Sequence, residues 1–242
     1  MTKRFGFTLA EVLITLGIIG VVAAMTMPTL MNSTQGAQYK AAYKKALSAI
    51  SQGITLNVAL DGGNFADTVA GTAGVTTKPS DGDSVASILN SRMNIVKAST
   101  AANAGYGTTG EGVNATTNFP ATVETKTCEQ AGKNPGDTGC TLKTENVKPD
   151  TFLFFNDGIM FAYKAADAFG CTDDSVAGVK HCVGVIDVNG TKGPNKITEC
   201  DSKSATEANC TVKNPKDIYP VEFYDQTILP ASPAAKAVLY SK

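Results

Sequence analysis

The stretch that decides the fold lies near the start of the chain, where residues 6–31 read GFTLAEVLITLGIIGVVAAMTMPTLM. Between Phe7 and Tyr39 the only charged residue is Glu11, and residues 12–31 are uncharged and mostly apolar. A helix of that length, at about 1.5 Å per residue, spans roughly 30 Å, which is the thickness of the hydrocarbon core of a bilayer. The sequence therefore predicts a membrane-spanning helix.

The charges around this segment predict its orientation and single out one residue. Lys3 and Arg4 precede the apolar run, and basic flanks stay on the cytoplasmic side, so the rest of the chain is expected outside the cytoplasm. Glu11 is the anomaly, because a carboxylate within an apolar span is costly and usually has a partner and a function.

The segment from Gly6 to Glu11, followed by an apolar helix with Pro28, resembles the prepilin cleavage and methylation motif of bacterial type IV pilins and type II secretion pseudopilins. The resemblance implies that a prepilin peptidase removes a leader of residues 1–6 after Gly6 and that Phe7 is N-methylated. It also implies that Glu11 pairs with the N-terminus of an adjacent subunit during assembly. Pro28 is expected to kink the helix near Ala24, because proline removes a backbone hydrogen bond.

Two other interpretations of the N-terminus remain open. An ordinary secretory signal peptide could be cut after Ala24, since the start is basic and small residues precede that position. A plain single-pass anchor is the second. Neither interpretation explains Gly6 or Glu11.

The helix is predicted to continue beyond the membrane as an amphipathic segment over residues 32–60. Its apolar positions follow steps of three and four, whereas lysines and Gln52 lie off this stripe. The sequence Asp61-Gly62-Gly63-Asn64 is expected to end the helix. The stripe consists of Tyr39, Tyr43, Leu47, Ile50, Ile54 and Val58.

Residues 61–242 are predicted to form a globular head of helix and strands. A helix is expected over residues 84–96, capped by Asp83 or Ser84 and with Val96 on its apolar face, and a long surface loop over 101–118. A hairpin is predicted from strands 151–155 and 159–163 around Asn156-Asp157-Gly158, with further strands at 183–188 and 218–224. Pro220 indicates an edge strand or a strand start.

These elements define an α+β class, in which a long N-terminal helix, half transmembrane and half amphipathic, packs on a small antiparallel β-sheet head. Burying the apolar face of the helix against that of the sheet accounts for both patterns. The same lollipop plan is implied by the pilin resemblance.

Six cysteines favour disulfides in this head. No pair has Cys-x-x-Cys spacing, which makes zinc and thioredoxin-like sites weak interpretations, and the even number fits an extracytoplasmic location. Pairing of nearest neighbours would staple three short loops, although six cysteines allow fifteen connectivities. The six cysteines are Cys128, Cys140, Cys171, Cys182, Cys200 and Cys210.

The head shows little other chemistry. Residues 187–195, which read DVNGTKGPN, resemble a loop of pilin-like heads that binds calcium in some pseudopilins, which would make Asp187, Asn189 and Asp217 ligands. The alternative, which we favour, is an Asx-turn in which the side chains bond the local backbone. No other cofactor is expected, and His181 is interpreted as a surface-loop residue.

The function predicted from these patterns is structural. With 21 basic and 22 acidic residues, the chain lacks the net positive charge that is typical of a nucleic-acid binder. The sequence shows no combination of residues typical of a catalytic site, so we expect that the protein is not an enzyme. The resemblance implies an inner-membrane subunit, with its head outside the cytoplasm, that the inner-membrane assembly machinery polymerises into a periplasmic or extracellular filament. The alternative is a pseudopilin, or a minor pilin that binds a surface, DNA or a secreted substrate.

Overall fold

The computed structural model describes residues 8–72, 84–100, 149–172, 181–202 and 208–241, and the backbone alone of 123–128 and 140–145. Three helices and eight strands lie in this part of the chain. In chain order they are α1 (Leu9–Asp61), α2 (Val85–Arg92), β1 (Ile95–Thr100), β2 (Val123–Cys128), β3 (Cys140–Glu145), β4 (Thr151–Phe155), β5 (Met160–Tyr163), β6 (Cys182–Asp187), β7 (Ile218–Tyr224), β8 (Thr227–Pro230) and α3 (Pro233–Tyr240).

Helix α1 is one continuous element of 53 residues, with Pro28 inside it. Thr8 is its N-cap, and Gly62 ends it in the left-handed conformation (φ 76°), donating its N–H to Asn57 and Val58. Glycine adopts that conformation without the strain a Cβ would cause. The predicted helix is confirmed in both extent and termination.

The strands form two antiparallel sheets: a six-stranded sheet in the order β1-β4-β5-β6-β7-β8, and a separate pair, β2-β3. The amphipathic half of α1 packs on one face of the larger sheet, where Tyr43 and Tyr219 stack with ring centroids 3.9 Å apart. The predicted stripe is confirmed: its central residues are buried, and Tyr39 and Val58 at its ends are partly buried against the same core. The fold is α+β with a long N-terminal helix, as predicted.

The head has two ends, which α1 defines. At the proximal end, nearest the apolar half of α1, Pro215 lies against Gly36, and Lys45 pairs with Asp157 of the β4–β5 turn at 3.1 Å. At the distal end, Phe65, which follows α1, donates its N–H to Asp225 at 2.8 Å. The order of these contacts along α1 shows which loops lie closest to the predicted membrane span.

Two sequence predictions about the strands and helices are wrong. Val96 does not lie on a helix: α2 ends at Arg92, and Val96 belongs to β1, which pairs with β4. Pro220 lies neither at an edge nor at a strand start, because β7 is between β6 and β8. The carbonyl of Pro220 accepts from the N–H of Ala231, which comes just after the end of β8. Because the carbonyl and the nitrogen of one strand residue face the same neighbouring strand, the nitrogen of Pro220 also faces β8. Its missing N–H therefore lies where the pairing of β7 with β8 ends.

Candidate functional site

The candidate site is the apolar half of α1, which the head leaves uncovered. Residues 9–28 form a helical segment long and apolar enough to cross a membrane, with a mean hydropathy of 2.2, and none of it is buried. Large apolar side chains from Leu9 to Met31 are 44–79% exposed. Exposed apolar surface on this scale marks contact with lipid or with another protein.

Three threonines of α1 whose side chains the structure describes bond the backbone of the helix itself. The hydroxyls of Thr15, Thr26 and Thr34 donate to the carbonyls of Glu11, Val22 and Leu30, four residues earlier, at 2.9–3.0 Å. Threonines that bond their own backbone in this way present mainly their methyl groups to the surroundings. The hydroxyls of Thr15 and Thr26 can therefore enter lipid with their hydrogen bonds satisfied.

Glu11 forms a capping box with Thr8. The Glu11 N–H donates to Thr8 Oγ1 at 3.2 Å, while Glu11 Oε2 accepts from the Thr8 N–H and hydroxyl, each at 2.8 Å. Sequence reasoning missed this role, although Thr-x-x-Glu before an apolar run is its signal. Glu11 thus already has a structural task within its own subunit. The predicted cleavage and methylation residues, Gly6 and Phe7, lie outside the described residues.

Two glycines in this segment face open space. A Cβ added at Gly17 or Gly20 would meet no atom within 4 Å, whereas one at Gly36 would lie 3.1 Å from Pro215. Packing inside the subunit therefore explains Gly36 but not the other two. Small residues on a membrane helix allow close approach of a second helix.

The loop predicted as an Asx-turn or calcium site brings its residues together. Asp187 and Asp217 are fully buried. Asp187 accepts from the Asn189 N–H at 3.0 Å, and Asp217 accepts from the N–H groups of Asn195 and Lys196 at 2.7 and 2.8 Å. Tyr39 of α1 lines the same groove as Gly193 and Pro194 of this loop. Burial, followed by the charges of Asp217 and Asp187, raises the pKa of Tyr39 above its usual value.

These contacts support the Asx-turn interpretation, because the carboxylates hold the loop through its own amides. Among the described residues, no three His, Cys, Asp or Glu side chains come close enough to hold a metal ion. The side-chain oxygens of Asn189 and Asn195 are buried without a hydrogen-bond partner in that part of the chain. They are the two atoms here to which a cation or a water would bind.

The cysteines staple loops at separate points of the head. Cys171 is bonded to Cys182 and Cys200 to Cys210, which are two of the three predicted neighbour pairings. Cys128 lies directly opposite Cys140 in the β2–β3 register, and their side chains lie outside the described part. The third pairing therefore stays a prediction.

The interpretation of His181 as a surface-loop residue is wrong. Its side chain is 5% exposed, and Nδ1 lies 3.4 Å from Glu222 Oε2. The ring stacks on Tyr224 with a centroid distance of 4.0 Å. His181 is thus packed beside the first residue of β6, a position that a single sequence cannot reveal.

Comparison with known families agrees with this geometry. Residues 1–27 match the family model for the prokaryotic N-terminal methylation motif. That motif is the prepilin-type signature of type IV pilins and pseudopilins, and the chain carries it. No curated protein and no solved structure matches the chain. The motif implies processing by a prepilin peptidase and assembly into pilus-type filaments, and it indicates a pilin-like structural subunit rather than an enzyme.

Proposed function

We propose that this chain is the structural subunit of a type IV pilus-like filament, cleaved after Gly6, N-methylated at Phe7 and polymerised through α1. The observation that carries the proposal is the contrast within one unbroken helix, whose apolar first half is exposed while its second half is packed into a head. The exposed half would rest in the inner membrane, with the head outside the cytoplasm, and then move into a bundle of like helices. The domain limits of this proposal are a leader at 1–6, a membrane and filament-core helix at 7–31, its amphipathic continuation at 32–60 and the head at 61–242.

Glu11 provides the test, because its capping and charge roles can be separated. Glutamine at the third helical position can still accept in a capping box, whereas alanine cannot. If the charge of Glu11 pairs with the N-terminus of a neighbour, both Glu11→Gln and Glu11→Ala should lower filament yield at least tenfold. The measurement is electron microscopy and quantification of sheared filaments, with immunoblots of membranes to show that the subunit accumulates.

Glu199→Gln is the matched control, because Glu199 is exposed on the head. It should assemble like the unaltered chain. Normal filaments from Glu11→Gln would contradict a role for the charge, and normal filaments from Glu11→Ala would contradict the assembly proposal as a whole.

One observation favours the alternative of a presenting subunit, such as a minor pilin. Strands β1 and β4 pair directly, with Thr100 opposite Thr151, so the chain leaves the sheet after Thr100 and rejoins it at Thr151. We call residues 101–150 the insertion; its first part, 101–118, lies outside the described residues. Thr151 in turn lies opposite Tyr163 at the end of β5. Just beyond Tyr163, the carbonyl of Ala165 accepts from the N–H of Gly71, which follows α1. The insertion therefore leaves from the distal end of the head. Deleting residues 101–118 should then reduce adhesion or uptake while filaments remain visible; unchanged adhesion and uptake would contradict this role.

A further inference from the structure

A polar groove lies between α1 and two loops at the proximal end of the head. It encloses about 450 Å³, and its walls come from the helix on one side and the loops around residues 193–194 and 214–216 on the other. The residues that matter here are Gln35, Gly36, Asn214 and Lys216. The floor of the groove is fixed, because Pro215 lies against Gly36 where there is no side chain.

The position of the groove along α1 places it at the level of lipid headgroups. The mostly apolar run ends at Met31, and Gln35 follows four residues later, about 6 Å farther along the helix. Counted from Pro28, the end of the candidate span, the distance is about 10 Å. The headgroup layer occupies roughly 5–8 Å on each side of the hydrocarbon core, so the groove opens in or just above it.

The charges around the groove match an anionic headgroup. Lys192, Lys196 and Lys213 are exposed on the two loops, and Lys216 lines the groove. Asp187 and Asp217 are fully buried, and their carboxylates already accept hydrogen bonds from the backbone amides of residues 189, 195 and 196. Lysines near a membrane surface are attracted to anionic lipids.

Two exposed acidic residues, Glu199 and Asp201, lie on the chain between the two loops. The carboxylate of Asp201 lies beside the second loop, because it accepts from the Lys213 N–H at 3.2 Å and from the Thr211 hydroxyl at 3.1 Å. Asp201 therefore offsets part of the positive charge here. The four lysines at residues 192, 196, 213 and 216 still outnumber these two carboxylates.

We propose that this groove binds the phosphate of an anionic phospholipid while the subunit rests in the membrane. Lys216 would supply the charge, and the side-chain amides of Gln35 and Asn214 would supply neutral donors. The inference rests on the proposed function, because it needs α1 inserted in a bilayer. The bound lipid fixes the height of the head above the membrane and must leave when the subunit enters a filament.

The first experiment measures the depth of the groove with a tryptophan reporter, because the chain has no Trp. Thr191→Trp puts the reporter on the exposed loop beside the groove, and Phe169→Trp puts a control near the distal end, next to Gly170, which bonds Thr68. Full-length protein is reconstituted into phosphatidylglycerol vesicles that contain a lipid with a nitroxide on its headgroup. We expect at least twofold quenching at position 191 and almost none at 169; equal quenching at both would overturn the inference.

The second experiment tests lipid preference. Native mass spectrometry of the detergent-solubilised full chain counts retained phosphatidylglycerol and phosphatidylcholine. We expect the unaltered chain to prefer phosphatidylglycerol, and the Lys192→Gln/Lys216→Gln variant to lose at least fivefold of that preference. Lys164→Gln, a lysine exposed toward the distal end and paired with Asp167, should retain it.

The outcomes separate this inference from the proposed function. Absence of lipid preference in the unaltered chain, or an equal loss in Lys164→Gln, overturns the groove inference alone, provided that the protein floats with vesicles. If the full chain floats with neither phosphatidylglycerol nor phosphatidylcholine vesicles, it is not a membrane-inserted subunit, and both proposals fail.

Discussion

At the scale of single residues, the stacked pair Tyr43 and Tyr219 ties α1 to the sheet. Both rings are fully buried, and Tyr43 Oη has no hydrogen-bond partner among the described residues. Burial is the largest cause that raises the pKa of Tyr43, Tyr163 and Tyr219 above the usual value near 10. The stripe in the sequence predicts that Tyr43 is buried, but it does not reveal which aromatic ring it meets.

These tyrosines predict a loss of stability at high pH. Because their pKa values are raised in the folded state, their contribution is complete below pH 10 and is lost as the pH rises further. Each buried tyrosine lowers the free energy of unfolding by about 1.4 kcal/mol per pH unit in that range. Chemical denaturation between about pH 8 and 11.5 should show that the free energy of unfolding falls less steeply with pH in Tyr43→Phe than in the unaltered chain. Tyr240→Phe, whose ring is 75% exposed, should keep the original slope; an unchanged slope in Tyr43→Phe would contradict the argument.

The loop at Asp187 and Asp217 gives a second prediction at this scale. Since backbone amides already satisfy these carboxylates, a chelator should leave the melting temperature unchanged. Asp217→Ala should lower the free energy of unfolding by about 3 kcal/mol, because two charge-assisted hydrogen bonds disappear. Differential scanning fluorimetry with EDTA and with calcium makes the comparison. A rise in melting temperature with calcium, absent in Asp217→Ala, would instead show a cation held by the carboxylates with Asn189 and Asn195.

At the scale of elements, periodicity predicts those whose apolar pattern is strong and misses those that their neighbours create. Helix α1 and strands β4, β5, β6 and β7 have clear patterns. Strand β1 has mostly exposed or half-buried side chains and becomes a strand through its pairing with β4. Strand β8 has four residues and follows a turn at Asp225 (φ 44°) without the glycine typical of such turns.

The two halves of α1 predict opposite responses to the same substitution. Gly36→Leu must displace Pro215, so it should lower the free energy of unfolding of the head by about 1–3 kcal/mol. Gly20→Leu meets nothing within the subunit and should leave head stability unchanged while reducing filament yield. Thermal denaturation in micelles and filament quantification check the pair. Normal assembly of Gly20→Leu would contradict close helix packing at that position.

At the scale of the whole molecule, the general plan follows from the sequence but the topology does not. The apolar run, the amphipathic stripe and the hairpin predict a helix laid on an antiparallel sheet. Strand order depends on pairings between distant segments, such as β1 with β4 across residues 101–150. No local pattern encodes such a pairing. For the same reason, the groove between α1 and the loops around residues 193–194 and 214–216 could not be predicted.

The site was predictable to a similar degree. Glu11 and the apolar run stand out because a charge in such a segment is anomalous, and the matched motif over residues 1–27 confirms the resemblance. The capping box could be recognised from Thr8 and Glu11. The side-chain oxygens of Asn189 and Asn195, which have no hydrogen-bond partner among the described residues, could not be recognised, because their burial depends on how the loop folds back over Asp187 and Asp217.

The central claim is that the chain is a processed filament subunit, and the mass of its N-terminus tests this most directly. Mass spectrometry of protein from its own membranes or from sheared filaments should find a chain that begins at Phe7 and carries an N-methyl group. A chain that begins at Met25 would identify a conventional secreted protein, and one that retains Met1 would identify a plain anchor. Either result would contradict the role of α1 as the helix through which processed subunits polymerise.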